Sequence, residues 1–145
     1  MLAISTGGNA VGGTCSTVAE TFNVPHDALK DGRLRVSLYD NFISEEYPEF
    51  VNTGFNDTFK VKLGLGDLSS ETLVDESVNT TAWTPVTGID FPGGDTTVGQ
   101  SGWRYASVVV DASRLADYDS LQLFVTDIDD TAYDSVGLID GIWLS

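Results

Sequence analysis

A chain of 145 residues fits one domain with a full core, and 41% hydrophobic and 10% aromatic residues argue against intrinsic disorder. Twenty-two acids against seven Lys and Arg give a formal net charge of −15. That balance argues against nucleic acid or anionic membrane as a partner and suits a calcium-loaded or extracellular setting, although acid can also serve solubility alone.

The single cysteine, Cys15, excludes an internal disulfide and reads as a small packed hydrophobe. No apolar run is long enough to span a membrane. The opening MLAISTGGNAVGG lacks the charged and apolar regions of a signal peptide. An exported parent then implies that residues 1–145 are a single domain excised from something longer.

In chain order, residues 1–14 are small and glycine-rich and read as a loose lead-in. Ser16 to Val24 alternates as a strand and is stopped by Pro25. His26 to Gly32 reads as a turn, with His26 facing solvent. Arg33 to Phe42 is the clearest strand, with Leu34, Val36, Leu38 and Phe42 on one face. An acidic stretch, Asn41 to Phe59, follows as a loop. Thr58 to Leu65 and Glu71 to Val78 read as strands. Asn79 to Gly102, rich in Thr, Gly, Pro and Asp, reads as a long, partly stranded connection with Trp83 as a possible anchor. Arg104 to Asp111 is a strong strand, and Ala112 to Tyr118 fits one helical turn. Leu121 to Ile128 and Val136 to Leu144 complete the strands. Seven or eight strands with few helical signals predict an all-β fold: a two-sheet antiparallel β-sandwich of jelly-roll type with long acidic loops.

Two acidic runs carry the functional signal. Asn41 to Phe59 holds Glu45, Glu46, Glu49, Asn56 and Asp57 and no basic residue; Asp127 to Asp140 is DIDDTAYDSVGLID. Acids this dense repel one another unless a cation or a partner neutralises them. Oxygen-rich side chains along an irregular loop suit Ca²⁺, which takes six to eight oxygens. The two runs are therefore expected to meet and hold calcium. Strand parity sharpens this, placing Asp40, Asp127 and Asp140 on inward faces. A buried carboxylate is costly unless paired or metal-bound, and acceptance of backbone N–H groups is the competing explanation for each.

Catalysis finds little support. Nucleophilic chemistry would have to use His26 or Cys15, neither in a suggestive context. Zinc would need His and Cys clusters that are absent. No pair of acids stands out as acid and nucleophile, and no phosphate-binding loop occurs. The chain reads as a binder, not an enzyme.

The run SEEYPEFVNTGFNDTF resembles the F-x-S-x-E-[YF]-P-E-[YF]-V…F-N-D-x-F motif of a group of bacterial secreted domains. GQSGWR (Gly99 to Arg104) and DIDDTAYDSVGLIDGI (Asp127 to Ile142) resemble its later elements, although Gly141 stands where that group has asparagine. Within the group, the chain resembles the peptide-binding domains of calcium-dependent repeats-in-toxin (RTX) adhesins. The resemblance implies an extracellular, bacterial cell-surface β-sandwich that serves cell adhesion and biofilm formation by binding the C-terminal end of a peptide or protein on another cell. It implies calcium at Glu45, Glu46, Asn56, Asp57, Asp127, Asp129, Asp130 and Asp134, with Tyr47, Trp103 and Tyr133 as aromatic walls for the ligand. A monomeric domain without membrane insertion is expected. A calcium-dependent carbohydrate-binding module and a structural extender domain are the alternative readings.

Overall fold

The computed structural model describes residues 1–7, 15–22, 29–91, 94, 96–115, 119–126, 128 and 132–145. Among them, ten strands form: β1 (Leu2–Ser5), β2 (Cys15–Phe22), β3 (Arg33–Ser44), β4 (Thr58–Gly64), β5 (Ser70–Ser77), β6 (Thr84–Val86), β7 (Val98–Gln100), β8 (Arg104–Asp111), β9 (Asp119–Thr126) and β10 (Ser135–Leu144). Short 3-10 turns, Lys30–Gly32 and Ala112–Arg114, precede β3 and follow β8.

The strands make two antiparallel sheets. One runs β2-β9-β4-β5. The other runs β1-β10-β3, after which β3 pairs with β8 along Arg33 to Asp40 and with β7 at Ile43 and Ser44. The order β1-β10-β3-β8 opposite β2-β9-β4-β5 is that of a jelly roll, as its alternating strands predict. The β6–β7 hairpin is an addition between β5 and β8. Each sheet turns one apolar face inward, because successive side chains of a strand point to opposite faces. Leu34, Val36, Leu38 and Phe42 of β3 are buried and meet Phe59, Val61 and Leu63 of β4. Phe42 stacks on Phe59 at a centroid distance of 5.8 Å, and Trp83 leans on Phe42 at 5.4 Å. The Trp83 ring N–H donates to the Val78 carbonyl at 2.8 Å, which fixes it as the anchor of the connection after β5.

Packing beside Phe59 also dictates a glycine. A Cβ built at Gly137, on the inner face of β10, would overlap the Phe59 ring. Gly137→Ala is therefore expected to destabilise by overpacking, by about 1–3 kcal/mol. The measurement is the urea midpoint, which should fall while the slope stays constant.

Three sequence expectations change. Residues 2–5 are not a loose lead-in: Leu2–Ser5 pairs with β10, from Leu2↔Ile139 to Ser5↔Val136. The acidic stretch is not loop throughout, since β3 runs on to Ser44 and β4 starts at Thr58. The inward parity of Asp140 is reversed. Ser135, Gly137 and Ile139 face the core, so Asp140 lies outside and is 58% exposed. Apolar residues occupy both faces of β10, and that pattern concealed which one was inner. The parity of Asp127 lies outside the described residues.

Candidate functional site

Strand register brings the acidic runs together. β3 ends and β10 begins in the pair Ser44↔Ser135, which sets Glu45 beside Asp134. β4 begins and β9 ends in the pair Thr58↔Thr126, and just beyond it Asp57 meets Ile128. Both junctions flank one connection, residues 45–57, which leaves the first sheet and enters the second. It opens on a cis Tyr47–Pro48 bond.

The contacts fall into two groupings. In the first, the Glu45 N–H donates to the Asp134 carbonyl at 3.1 Å, and the Asp134 N–H donates to Glu45 Oε2 at 3.2 Å. Glu45 Oε1 accepts the Phe91 N–H at 3.2 Å. The Gly94 backbone lies so close that a Cβ there would overlap the Glu45 carboxylate, and a Cβ at Gly7 would lie 3.0 Å from Asp134 Oδ2. In the second grouping, Glu46 Oε2 accepts the Asp57 N–H at 3.3 Å and Asp57 Oδ1 accepts the Ile128 N–H at 2.8 Å. Glu45, Glu46 and Asp57 are fully buried, and Asp134 is 8% exposed. Adjacent Glu45 and Glu46 thus serve different partners, as expected where neighbouring side chains diverge.

Buried hydroxyls brace both groupings. Ser135 Oγ lies 2.9 Å from Ser44 Oγ, and the Ser135 N–H donates to Thr6 Oγ1 at 2.9 Å. The Glu46 N–H donates to Ser44 Oγ at 3.0 Å. Sequence reasoning missed Thr6, Ser44 and Ser135. Ser44 and Ser135 abut acids of the quoted motifs, but nothing in the sequence pairs them across 91 positions.

Other expected site residues take varied places. Asn56 Oδ1 accepts the Asn79 N–H at 2.9 Å, so its carboxamide ties the acidic loop to the turn after β5. Tyr47 lies half-buried on Trp83, at 5.9 Å between ring centroids, and against Gly99. Tyr133 packs on Phe50 at 4.8 Å, which does put an aromatic beside Asp134. Trp103 joins Tyr39, Asp140, Gly141 and Trp143 around a separate cavity on the outer face of the first sheet. Asp127, Asp129 and Asp130 lie outside the described residues. Among the described residues, no three of His, Cys, Asp and Glu gather around one point.

Asp40, a metal candidate by parity, is instead explained by an ion pair. It is buried, and Arg104 Nη2 lies 3.2 Å from its Oδ1 while also holding Glu76 Oε1. Burial outweighs Arg104 and raises the Asp40 pKa above 3.8. A raised folded pKa means that the folded state holds this proton more tightly than the unfolded state does. The contribution of Asp40 to stability thus falls as pH rises from about 3.8 through its folded pKa. Burial acts to lower the Arg104 pKa, but its bonds to Glu76 and Asp40 prevail and hold it above the usual value.

Compared with family models, with curated proteins and with solved structures, the chain matches none.

Proposed function

We propose that this domain is a calcium-dependent ligand-binding module of a bacterial surface adhesin, and that it binds the C-terminal end of a peptide or protein outside the cell. The observation that carries the reading is the burial of four carboxylates from the two acidic runs at one end of the sandwich. Like charges crowded in a region of low dielectric need a compensating positive charge. Calcium fits the donor set: hard, all-oxygen, and set against glycine backbone at Gly7 and Gly94. Glu45 and Asp134 would hold one ion and Glu46 and Asp57 another, with Asp127, Asp129 and Asp130 as further oxygen donors from the second run. When bound, the ion supplies fixed positive charge and a coordination position for an oxygen ligand.

A peptide carboxylate suits that position. The net charge of −15 repels an anionic ligand unless a bound cation inverts the local field. One metal–carboxylate contact is too little for tight binding, so neighbouring groups must read the residues before the terminus. Tyr133 adjoins Asp134 in the chain and packs on Phe50, whose N–H donates to the Glu46 carbonyl, so these two aromatics border the groupings. The chemistry is that of a binder: Glu45, Glu46 and Asp57 accept backbone N–H groups, which fixes their carboxylates in place.

The test uses one peptide with a free C-terminus and the same peptide amidated, each in calcium and in chelator, by calorimetry. Binding is expected only for the free acid in calcium. Equal binding of the amidated peptide excludes the carboxylate–calcium contact, and binding to a glycan array with no peptide binding favours the carbohydrate module.

A further inference from the structure

On the outer face of the first sheet, far from the acidic connection in the register of β3, Tyr39, Trp103 and Trp143 stand exposed by 41%, 48% and 54%. With Asp140 and Gly141 they line a cavity of about 290 Å³. The Tyr39 and Trp143 rings are 6.0 Å apart and nearly perpendicular at 78°, so they form two walls of a corner.

The corner is built by a bulge. Asp140 pairs with Tyr39 and Trp143 with Ser37, so β10 carries one extra residue between them. That residue brings Asp140 and Trp143 to the same outer face although they are three apart in sequence. Gly141 has φ +56°, and a Cβ there would lie 2.8 Å from Trp143 Cη2. Asparagine tolerates that φ better than most residues, but any side chain would push the indole away from Tyr39. Glycine at 141, where the adhesin group has asparagine, is what lets Trp143 lie over the bulge.

We propose that this corner is a binding site for a small quaternary ammonium cation of the choline type. The Tyr39 and Trp143 rings meet at 78° and Trp103 lines the same cavity, so the corner offers aromatic surface to a cation and apolar walls to the methyl groups of a quaternary ammonium. Asp140 adds a carboxylate at the edge. It accepts the Gly141 N–H at 2.9 Å, which holds its carboxyl below the usual range. The chain, at −15, draws cations and repels anions. Arg35, the nearest cation along β3, hydrogen-bonds Tyr105, whose ring packs on Tyr39 at 5.6 Å, and is not among the residues that line the cavity. The site is independent of the calcium reading.

The experiment is a titration with choline chloride, at matched ionic strength, followed by the indole N–H resonances. The Trp103 and Trp143 signals should shift together with a millimolar Kd while that of buried-side Trp83 stays still. The neutral isostere 3,3-dimethyl-1-butanol should bind about tenfold more weakly, since it keeps shape and loses charge. Phosphocholine should also bind more weakly than choline, because its phosphate meets the negative field. Trp143→Ala and Tyr39→Ala should each weaken choline by about tenfold, and Asp140→Asn by a few-fold. Gly141→Asn, which leaves every ring and charge in the chain, should weaken it as well. No shift with choline, equal binding of the isostere, or tighter binding of phosphocholine would overturn the proposal, and shifts with methyl glucoside alone would make the corner a sugar site.

Discussion

Millimolar calcium is expected to raise the thermal midpoint of the domain by about 5–10 °C over the same protein in excess chelator. At free calcium about 100 times the dissociation constant, one site that exists only in the folded state adds about 2.7 kcal/mol. In a domain of this length each kcal/mol moves the midpoint by roughly 2–4 °C. The expectation rests on the fold, because folding itself buries Glu45 against Asp134 and Glu46 against Asp57. Without a cation, that crowding opposes the folded state; with one, it becomes the binding site. Magnesium is a fitting control, since it demands a stricter octahedral shell and sheds water reluctantly, so its effect should be smaller. Sodium chloride at matched ionic strength controls for screening of the net charge. The Asp40–Arg104–Glu76 ion group should not respond, because its cation is part of the chain. A midpoint that calcium leaves unchanged excludes the metal reading.

Periodicity made the core legible in the sequence. The alternation in Arg33 to Phe42 and in Thr58 to Leu65 encodes which side chains are buried, and Leu34, Val36, Phe42, Phe59 and Val61 lie in the core accordingly. A strand with a clean polar face announces its inner side. β10 has none: Val136 and Leu138 are as apolar as Ile139, so parity alone put Asp140 inside. The bulge at Gly141 then changed the phase of the last residues of β10, a shift that only the pairing with β3 reveals. β1 went unread because four residues among glycines carry too little pattern, and its partner lies at the other end of the chain. The meeting of the acidic runs was legible from charge. Its division into two groupings was not, because it depends on the registers Ser44↔Ser135 and Thr58↔Thr126. Trp103 shows the limit of proximity in sequence: it belongs to a motif element, yet it lines the outer corner with Asp140 and not the buried acids Glu45, Glu46, Asp57 and Asp134.

The division into two groupings yields the sharpest expectation. Asp57→Ala should remove about one site's worth of calcium-dependent stabilisation, roughly 2.7 kcal/mol at saturating calcium, while Asp67→Ala removes none. The two substitutions delete the same charge, so a general field effect would make them alike. Their surroundings differ. Asp57 is fully buried and accepts the Ile128 N–H at 2.8 Å. Asp67 is a turn residue that accepts the Ser69 N–H at 2.9 Å and sits 3.4 Å from Arg114. Asp57→Ala also leaves the Ile128 N–H without its acceptor, a loss of about 1–3 kcal/mol that has nothing to do with metal. The readout must therefore be the difference between calcium and chelator for each variant, not absolute stability. Glu45→Gln gives the complementary arm. It keeps the shape and one acceptor oxygen, loses the charge of the first grouping, and leaves one of the Asp134 and Phe91 N–H groups facing an amide donor, so the calcium increment is again the readout. If the groupings are separate sites, the calcium increments lost in Asp57→Ala and Glu45→Gln add in the double variant, as they do for independent positions. If one ion serves both, either variant alone abolishes the increment and the double variant loses nothing more. Equal increments in wild type, Asp57→Ala and Asp67→Ala would show that calcium acts on the charge of the whole surface and not at these carboxylates.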